Sequence, residues 1–476
     1  MPSFSSLTAS ASLLLVSLVA SASAFPSGNA TITAWGESQS TISLAKMFTS
    51  INPPGSAPGF LAASLSTHDP DYYYSWTRDS ALSFRVLVDQ LADAKSNSTL
   101  DNYIKDYITY SKNAQTTSTV CNCLGEPKFN ADGSSYTGAW GRPQNDGPAE
   151  RATTLILYAK QSGADLKSSK DTHDGMYFEC SPTVYIALPI VIYKDLDYVV
   201  STWDNQNFDL WEEVNGRHFF TYMVMRRGLL DGADYATQNG DTDKASSYKS
   251  TVTNIETRIN SFWQSDHVTV TIDQSGGASK ASGLDASVLI AANVGSRNDG
   301  FYTPGSDKLL ATAVKIEAAF ANLYNLNKNK ASYLGTAIGR YPEDVYNGNG
   351  SSQGNPWFIC TNAFAELYYR AIKEWTDAGS VKVTDISKSF FTKFDSAAAS
   401  GTTYTVGTDA FNNLVNKVAA AADQFLSTVH YHQNPNGSLS EQYNRDSGYM
   451  QGATDLTWSH ASAITALKAK AGSPAL

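Results

Sequence analysis

Apolar residues recur at three- and four-residue spacing along most of this chain, which restricts the fold to packed helices. In 411–431 the set is Phe411, Leu414, Val415, Val418, Ala422, Phe425, Leu426 and Val429. Segment 309–326 repeats the spacing with Leu310, Val314, Phe320 and Leu323. Segment 361–375 does so with Phe364, Leu367, Tyr368, Ala371, Ile372 and Trp375. Further helices are predicted at 79–94, 101–117, 148–161, 189–204, 217–236, 246–264, 284–294 and 457–470. Alternating runs near 267–273 and 403–407 predict minor strands. A dozen or so helices in 476 residues predict an all-α toroid.

Residues 1–24 read as a secretory signal: the apolar run Leu13 to Ala20 is too short to span a bilayer and leads into Ala22-Ser23-Ala24. No other run approaches the ~20 apolar residues of a spanning helix, so no membrane partner is expected. Residues 25–476 show no linker, low-complexity block or charge run, and one secreted, monomeric domain is predicted there. A net charge of −10 excludes a polyanionic partner such as nucleic acid. Asn29, Asn97, Asn349 and Asn436 head sequons and are expected glycan sites. Of the cysteines, Cys121 and Cys123 stand too close to bridge each other easily. The expected bond joins one of them to Cys180, with Cys360 a buried free thiol.

The long inter-helix segments carry the chemistry, since long loops in a compact domain are usually functional. The longest, 119–147, ends where Asp146 can cap a helix ahead of Pro148. In DLWEEV, Asp209, Glu212 and Glu213 surround Trp211, and Glu441 stands far downstream in SEQY. Glycosidic cleavage needs one carboxyl that holds a proton and one that stays ionised. Crowded like charges beside an aromatic raise a carboxyl pKa, so the first cluster fits the proton holder. Other polar-aromatic segments supply Tyr72, Trp76, Arg78 and Asp79, then Trp140 and Arg142. Arg340, Glu343, Asp344, Tyr346 and Trp357 follow. Charged forks bind sugar hydroxyls and aromatics stack on the ring. Trp263 and Trp375 lie on helical apolar stripes and read as packing. Glu343 and Asp344 read as caps or salt-bridge partners, and His430 and His432 as surface. No histidine pattern suits a metal, so no metal or cofactor is expected and activity should survive chelation.

Taken in order, WTRDS, EPKFN, W-GRPQNDGP, DLWEE, GRYPED, GNPWF and SEQ followed by DLTWS resemble glycoside hydrolase family 15, the glucoamylases. The resemblance runs from about 60 to 465. It implies an (α/α)6 barrel that removes β-D-glucose, with inversion, from non-reducing ends of starch, maltodextrins and related α-1,4-glucans, more slowly at α-1,6 bonds. It implies Glu212 as general acid and Glu441 as general base. It further implies Glu213, Arg78, Asp79 and Arg340 as substrate ligands, and Tyr72 near the cationic transition state. Trp76, Trp140 and Trp357 are implied as aromatic walls, with Tyr346 beside them, and Asp209 and Trp211 as substrate-binding residues that also shape the surroundings of the acid. NGNGSSQ lengthens the segment before GNPWF, and the cysteines do not follow the mould enzymes. No separate starch-binding domain is expected, so soluble substrates should be favoured over granules. A trehalase- or dextran-type glucosidase on a similar barrel, and a non-catalytic carbohydrate-binding relative, are the alternatives. A bell-shaped pH profile with an acidic optimum is expected, Glu441 on the lower limb and Glu212 on the upper.

Overall fold

Helices alternate along the chain between two concentric layers. The structure, a computed structural model, describes residues 26, 28–94, 97–162 and 182–476. The proposed signal at 1–24 and Cys180 lie outside the described residues. The long helices are α1 Ala30–Ser50, α2 Thr77–Ala94, α3 Ser98–Ala114, α4 Asp146–Ser162, α5 Pro182–Thr202 and α6 Phe219–Asn239. They continue with α7 Thr242–Asn260, α8 Ser287–Gly295, α9 Asp307–Ala321, α11 Phe358–Asp377, α13 Asp409–His432 and α14 Thr457–Lys470. Single turns form α10 Asn325–Lys328 and α12 Lys388–Phe391. α2 packs on α4, α4 on α6, α6 on α8, α8 on α11, α11 on α14, and α14 back on α2. That closed inner ring is jacketed by α3, α5, α7, α9, α13 and α1. The all-α toroid read from periodicity is therefore an (α/α)6 barrel.

An inner helix touches both the barrel axis and the outer layer, so it is buried all round. In α4 every residue from Asp146 to Ala159 is buried, charged ones included. Buried charges need partners. Arg151 grips Asp195 of α5 with both prongs, Nε to Oδ2 at 2.8 Å and Nη2 to Oδ1 at 2.6 Å. Removing one partner strands the other charge in the interior, so Arg151→Met is expected to cost about 3–5 kcal/mol. Urea unfolding checks it, and a loss within experimental error contradicts this account.

Periodicity misses α1. Its buried face reads Ile32, Trp35, Gln39, Ser43 and Met47, with polar residues on the core side. They are tolerated because Gln39 Nε2 donates to Gly437 O at 2.9 Å and to Ser43 Oγ at 3.0 Å. α5 starts at Pro182, earlier than the predicted 189; Pro189 lies within the helix. The expected cysteine bond is also corrected. Cys121 and Cys123 are bridged to each other, with Cα atoms 5.2 Å apart. Asn122 between them takes φ +48°, a left-handed turn that folds its neighbours together. Cys360 is free and buried. His432 is half-buried, stacked on Tyr443 at 4.6 Å, not free on the surface.

Each inner helix is entered from a long loop, and backbone hydrogen bonds join the six loops in a closed circle. Thr77 N donates to Pro127 O, Phe208 N to Pro143 O, and Ala286 N to Arg340 O. Phe358 N donates to Glu441 O and Thr457 N to Ala63 O. The first junction is reinforced by β1 Ser75–Trp76 paired antiparallel with β2 Lys128–Phe129, and the remaining junction is a sheet, where β3 Asn207–Phe208, β4 Val214–His218 and β5 Thr271–Gly277 pair in that order, antiparallel. The strand predicted near 267–273 is β5, displaced toward its C-terminal side. The prediction near 403–407 appears as Thr403–Thr405. All six inner helices thus start at one end of the barrel. Helix N-termini carry partial positive charge, so this end favours carboxylates.

Candidate active site

The residues singled out in the sequence lie in the loops that lead into these inner helices, or in their first turn. Tyr72, Trp76, Arg78 and Asp79 flank the start of α2. Trp140 precedes α4, Glu212 and Glu213 precede α6, Arg340, Tyr346 and Trp357 precede α11, and Glu441 precedes α14. The circle of loops brings them together.

Glu212 occupies the turn between β3 and β4 with φ +69°, a conformation unfavourable for a side chain with a Cβ. Its Oε1 accepts from Trp76 Nε1 at 2.6 Å, Gln144 Nε2 at 3.0 Å and Arg78 Nη2 at 3.5 Å. Its Oε2 accepts from Trp140 Nε1 at 2.7 Å. Two close approaches hold this turn. A Cβ on Gly141 would stand 2.8 Å from Glu212 O, and one on Gly277, which has φ +94°, would stand 1.9 Å from Glu213 O. Trp140 is 38 % exposed, which puts it at the mouth of the site.

Glu441 is fully buried. Its Oε1 accepts from Tyr72 OH at 2.7 Å and its Oε2 from Gln442 Nε2 at 3.2 Å. Tyr72 OH also lies 3.0 Å from Tyr346 OH. Burial pushes the Glu441 carboxyl up to about 8, against the hydrogen bond from Tyr72, the charge of Arg340 and the hydroxyl of Tyr346. Tyr72, bonded to Glu441, and Trp76, bonded to Glu212, link the two carboxyls through ring centres 5.4 Å apart. Among the described residues, Glu212 and Glu441 share no hydrogen-bond partner.

Around them lies a set of buried charges. Arg78 Nη1 binds Asp146 at 2.8 Å and Gln144 at 3.0 Å, and its Nε lies 3.7 Å from Asp79. Asp146 thus turns to a buried guanidinium rather than capping α4. Burial raises Asp79 to about 6 although Arg78 pulls it down. Arg340 clasps Asp344 at 2.6 and 2.9 Å and reaches Glu213 at 2.7 Å. Tyr341 OH donates to the other oxygen of Glu213 at 2.6 Å. Burial raises Glu213 in spite of these partners. The guanidinium of Arg340 sits 5.2 Å from the ring centres of both Tyr346 and Trp357.

Asp209 departs from its reading as a substrate ligand. It is fully buried. Its Oδ1 takes the backbone N–H of Glu213 and Val214, and its Oδ2 takes Lys280 at 2.8 Å. No oxygen is left for a sugar, so its place is that of a loop clamp. Trp211 likewise turns its N–H to Asp285 and its ring to Trp357 at 5.4 Å. Glu343 accepts from the backbone N–H of Ser282 at 2.7 Å, which ties it to the loop ahead of α8 rather than to a helix end.

Sequence reasoning passed over Gln144, Lys128, Tyr341, Lys280 and Asp285. Lys128 is buried with its ammonium 3.4 Å from the Trp140 ring centre and 4.6 Å from that of Trp76. Tyr74 and Tyr136 complete the enclosure. Burial lowers Lys128 to about 8 despite the charge of Glu212. Gln144 and Lys128 lie inside quoted motifs, and that position was the available signal.

A barrel of paired helices whose inner N-termini gather two carboxyls, charged forks and indole walls defines a carbohydrate-cleaving class of protein. The chain belongs to the Glycosyl hydrolases family 15, whose family model matches residues 41–468. It is 59 % identical over 454 residues to Glucoamylase 1 of Rhizopus oryzae, covering 95 % of this chain and 73 % of that protein. It is 36 % identical to the probable glucoamylase of Schizosaccharomyces pombe, covering 93 % and 92 %. Among solved structures, the glucoamylase of Saccharomycopsis fibuligera superposes with a TM-score of 0.83 at 33 % identity, covering 94 % and 96 %.

Proposed function

We propose that this chain is a glucan 1,4-alpha-glucosidase that releases β-D-glucose, with inversion, from non-reducing ends of starch, maltodextrins and related α-1,4-glucans, and more slowly at α-1,6 bonds. The observation that carries the reading is the pair of carboxyls in unlike settings, one bonded by Trp76 and Trp140, the other buried and bonded by Tyr72. Glu212, within reach of the exposed Trp140, is the general acid that protonates the leaving glycosidic oxygen. Glu441, at the buried end, is the general base that takes a proton from water on the opposite face. Inversion needs room for that water, with carboxyls about 6.5–9.5 Å apart. Arg78, Asp79, Glu213 and Arg340 bind hydroxyls of the terminal glucose. Trp357 Nε1 and Arg78 Nε, buried donors without a hydrogen-bond partner among the described residues, are suited to the same task. Trp76, Trp140, Tyr346 and Trp357 supply ring faces. The similarity to the Rhizopus glucoamylase supports the substrate class.

Secretion as a monomer with glycans on Asn29, Asn97, Asn349 and Asn436 completes the proposal. Asn29, Asn349 and Asn436 are exposed. Asn97 uses its carbonyl oxygen to cap α3 and keeps its amide nitrogen out of that cap. No helix among the described residues is long and apolar enough to cross a membrane.

A base that activates water works with water against it, and that hydration relieves the burial that raises Glu441. The lower limb of the pH profile therefore falls below about 8, and the acidic optimum depends on this hydration. Tyr72 donates to the charged form and lowers this pKa. Tyr72→Phe removes a hydrogen bond to a charged group, about 1.5–3 kcal/mol, and moves the lower limb up by about 1–2 pH units. A limb that stays in place, measured as kcat against pH so that the enzyme–substrate complex is read, contradicts the contact. The decisive experiment for the activity is proton NMR of maltoheptaose in the first minutes of reaction. Early β-glucose supports the proposal; early α-glucose, or no release, overturns it.

A further inference from the structure

We infer that Lys280 is the positioning residue that holds the acid-bearing turn in its strained conformation, so that proton donation by Glu212 depends on it. The inference rests on the reading of Glu212 as general acid. Lys280 is not near the sugar pocket's charged forks by sequence, and its side chain is only 2 % exposed. Its ammonium lies 2.8 Å from Asp209 and 2.7 Å from Asp285, both fully buried. Each carboxylate fixes a different part of the acid turn. Asp209 takes the N–H groups of Glu213 and Val214 at 2.8 and 2.9 Å, immediately after Glu212. Asp285 takes Trp211 Nε1 at 3.0 Å, immediately before it, and Ser287 N at 2.8 Å at the head of α8. The same ammonium lies 4.4 Å from the ring centre of Tyr341, whose hydroxyl holds Glu213.

Glu212 thus sits between two anchored neighbours, and both anchors are bound to one cation. A non-glycine residue at φ +69° persists only where its surroundings over-determine it. Without the ammonium, Asp209 and Asp285 are two buried carboxylates with no shared counter-charge. At least one must take a proton or move, and the turn loses an anchor. Among the described residues Glu441 and Arg78 make no hydrogen bond or ion pair with Lys280, so water activation should be spared, while Glu213, held by Tyr341 and Asp209, passes any loss of sugar binding equally to every glucosyl substrate.

The test separates proton donation from everything else by leaving group. Maltoheptaose needs its leaving oxygen protonated; α-D-glucosyl fluoride leaves as fluoride and needs little help from an acid. Lys280→Met is expected to lose kcat on maltoheptaose by about 10²-fold, the usual worth of a positioned acid, with any rise in KM shared by both substrates. On the fluoride its loss should stay within about fivefold. Equal losses on both substrates, or no loss on either, overturn the inference. Asp285→Asn keeps an acceptor for Trp211 but weakens the hold on Lys280. It should show the same split at smaller size, and it serves if the first variant does not fold. Glu212→Gln run alongside tests the underlying reading. If it loses the fluoride reaction as heavily as the maltoheptaose reaction, Glu212 is not the acid. If it shows the split and neither of the other variants does, the reading stands and the role of Lys280 falls.

Discussion

Glu212→Gln lowers kcat on maltoheptaose by at least about 10²-fold while substrate still binds. That factor corresponds to about 2.7 kcal/mol of transition-state stabilisation. Glutamine keeps the size of the side chain and removes the transferable proton. Its effect on the surroundings can be read from the four donors around the carboxyl. Three of them, from Trp76, Gln144 and Arg78, converge on Oε1. An amide oxygen placed there satisfies all three. The amide nitrogen then faces Trp140 Nε1, a clash of donors. Trp140 is 38 % exposed and can turn its N–H to water. The disturbance is confined to the mouth, so a small rise in KM accompanies the large fall in kcat. Steady-state kinetics with a binding titration distinguish the two. Near-normal turnover removes Glu212 from the mechanism.

The parts of this fold that were legible in the sequence are those where one physical preference acts alone. α13 shows a clean apolar stripe because its outer face meets only solvent, and it runs as predicted. α1 was invisible because Gln39 and Ser43 occupy its core face and are satisfied by partners such as Gly437, about four hundred residues away. Periodicity cannot register a polar residue whose partner arrives through folding. The Cys121–Cys123 bridge was hidden for a related reason: it depends on one left-handed residue, Asn122.

In the site, the loops were legible because polar and aromatic residues crowd where helices stop. The roles were less so. Asp209 stands beside two glutamates in DLWEE, and proximity in sequence suggested a shared pocket. The strand β4 carries the following backbone past its carboxylate, and the clamp geometry that results points it inward. Lys280 and Asp285 carried no motif at all. Their meaning lies in burial, which turns an ordinary Lys and Asp into a counter-charge and an anchor.

Glu441→Gln is expected to lose about 10²- to 10⁴-fold in kcat and at the same time to become the more stable protein as pH rises. The first effect follows from removing the base. The second follows from its burial. The carboxyl is fully buried, and its pKa in the folded state is raised from 4.5 to about 8. A group raised in this way favours the fold while protonated, below its unfolded value. That contribution is lost as pH rises through the window from about 4.5 toward 8. Glutamine stays neutral throughout and has no such loss. Thermal unfolding of the two proteins should therefore keep a constant offset at the acidic end and shift in favour of the variant across that window. The geometry supports a native fold for the variant. An amide oxygen can take the hydrogen bond from Tyr72 OH. The amide nitrogen faces Gln442 Nε2, and that side chain is held by Asn355 donating to its Oε1 at 2.9 Å. One strained donor pair is the local cost, and it is the same at every pH, so it cannot imitate the divergence. Retained turnover in the variant removes Glu441 as the base. Stability curves that stay parallel show a carboxylate already charged in the folded protein, with water reaching it before any substrate arrives.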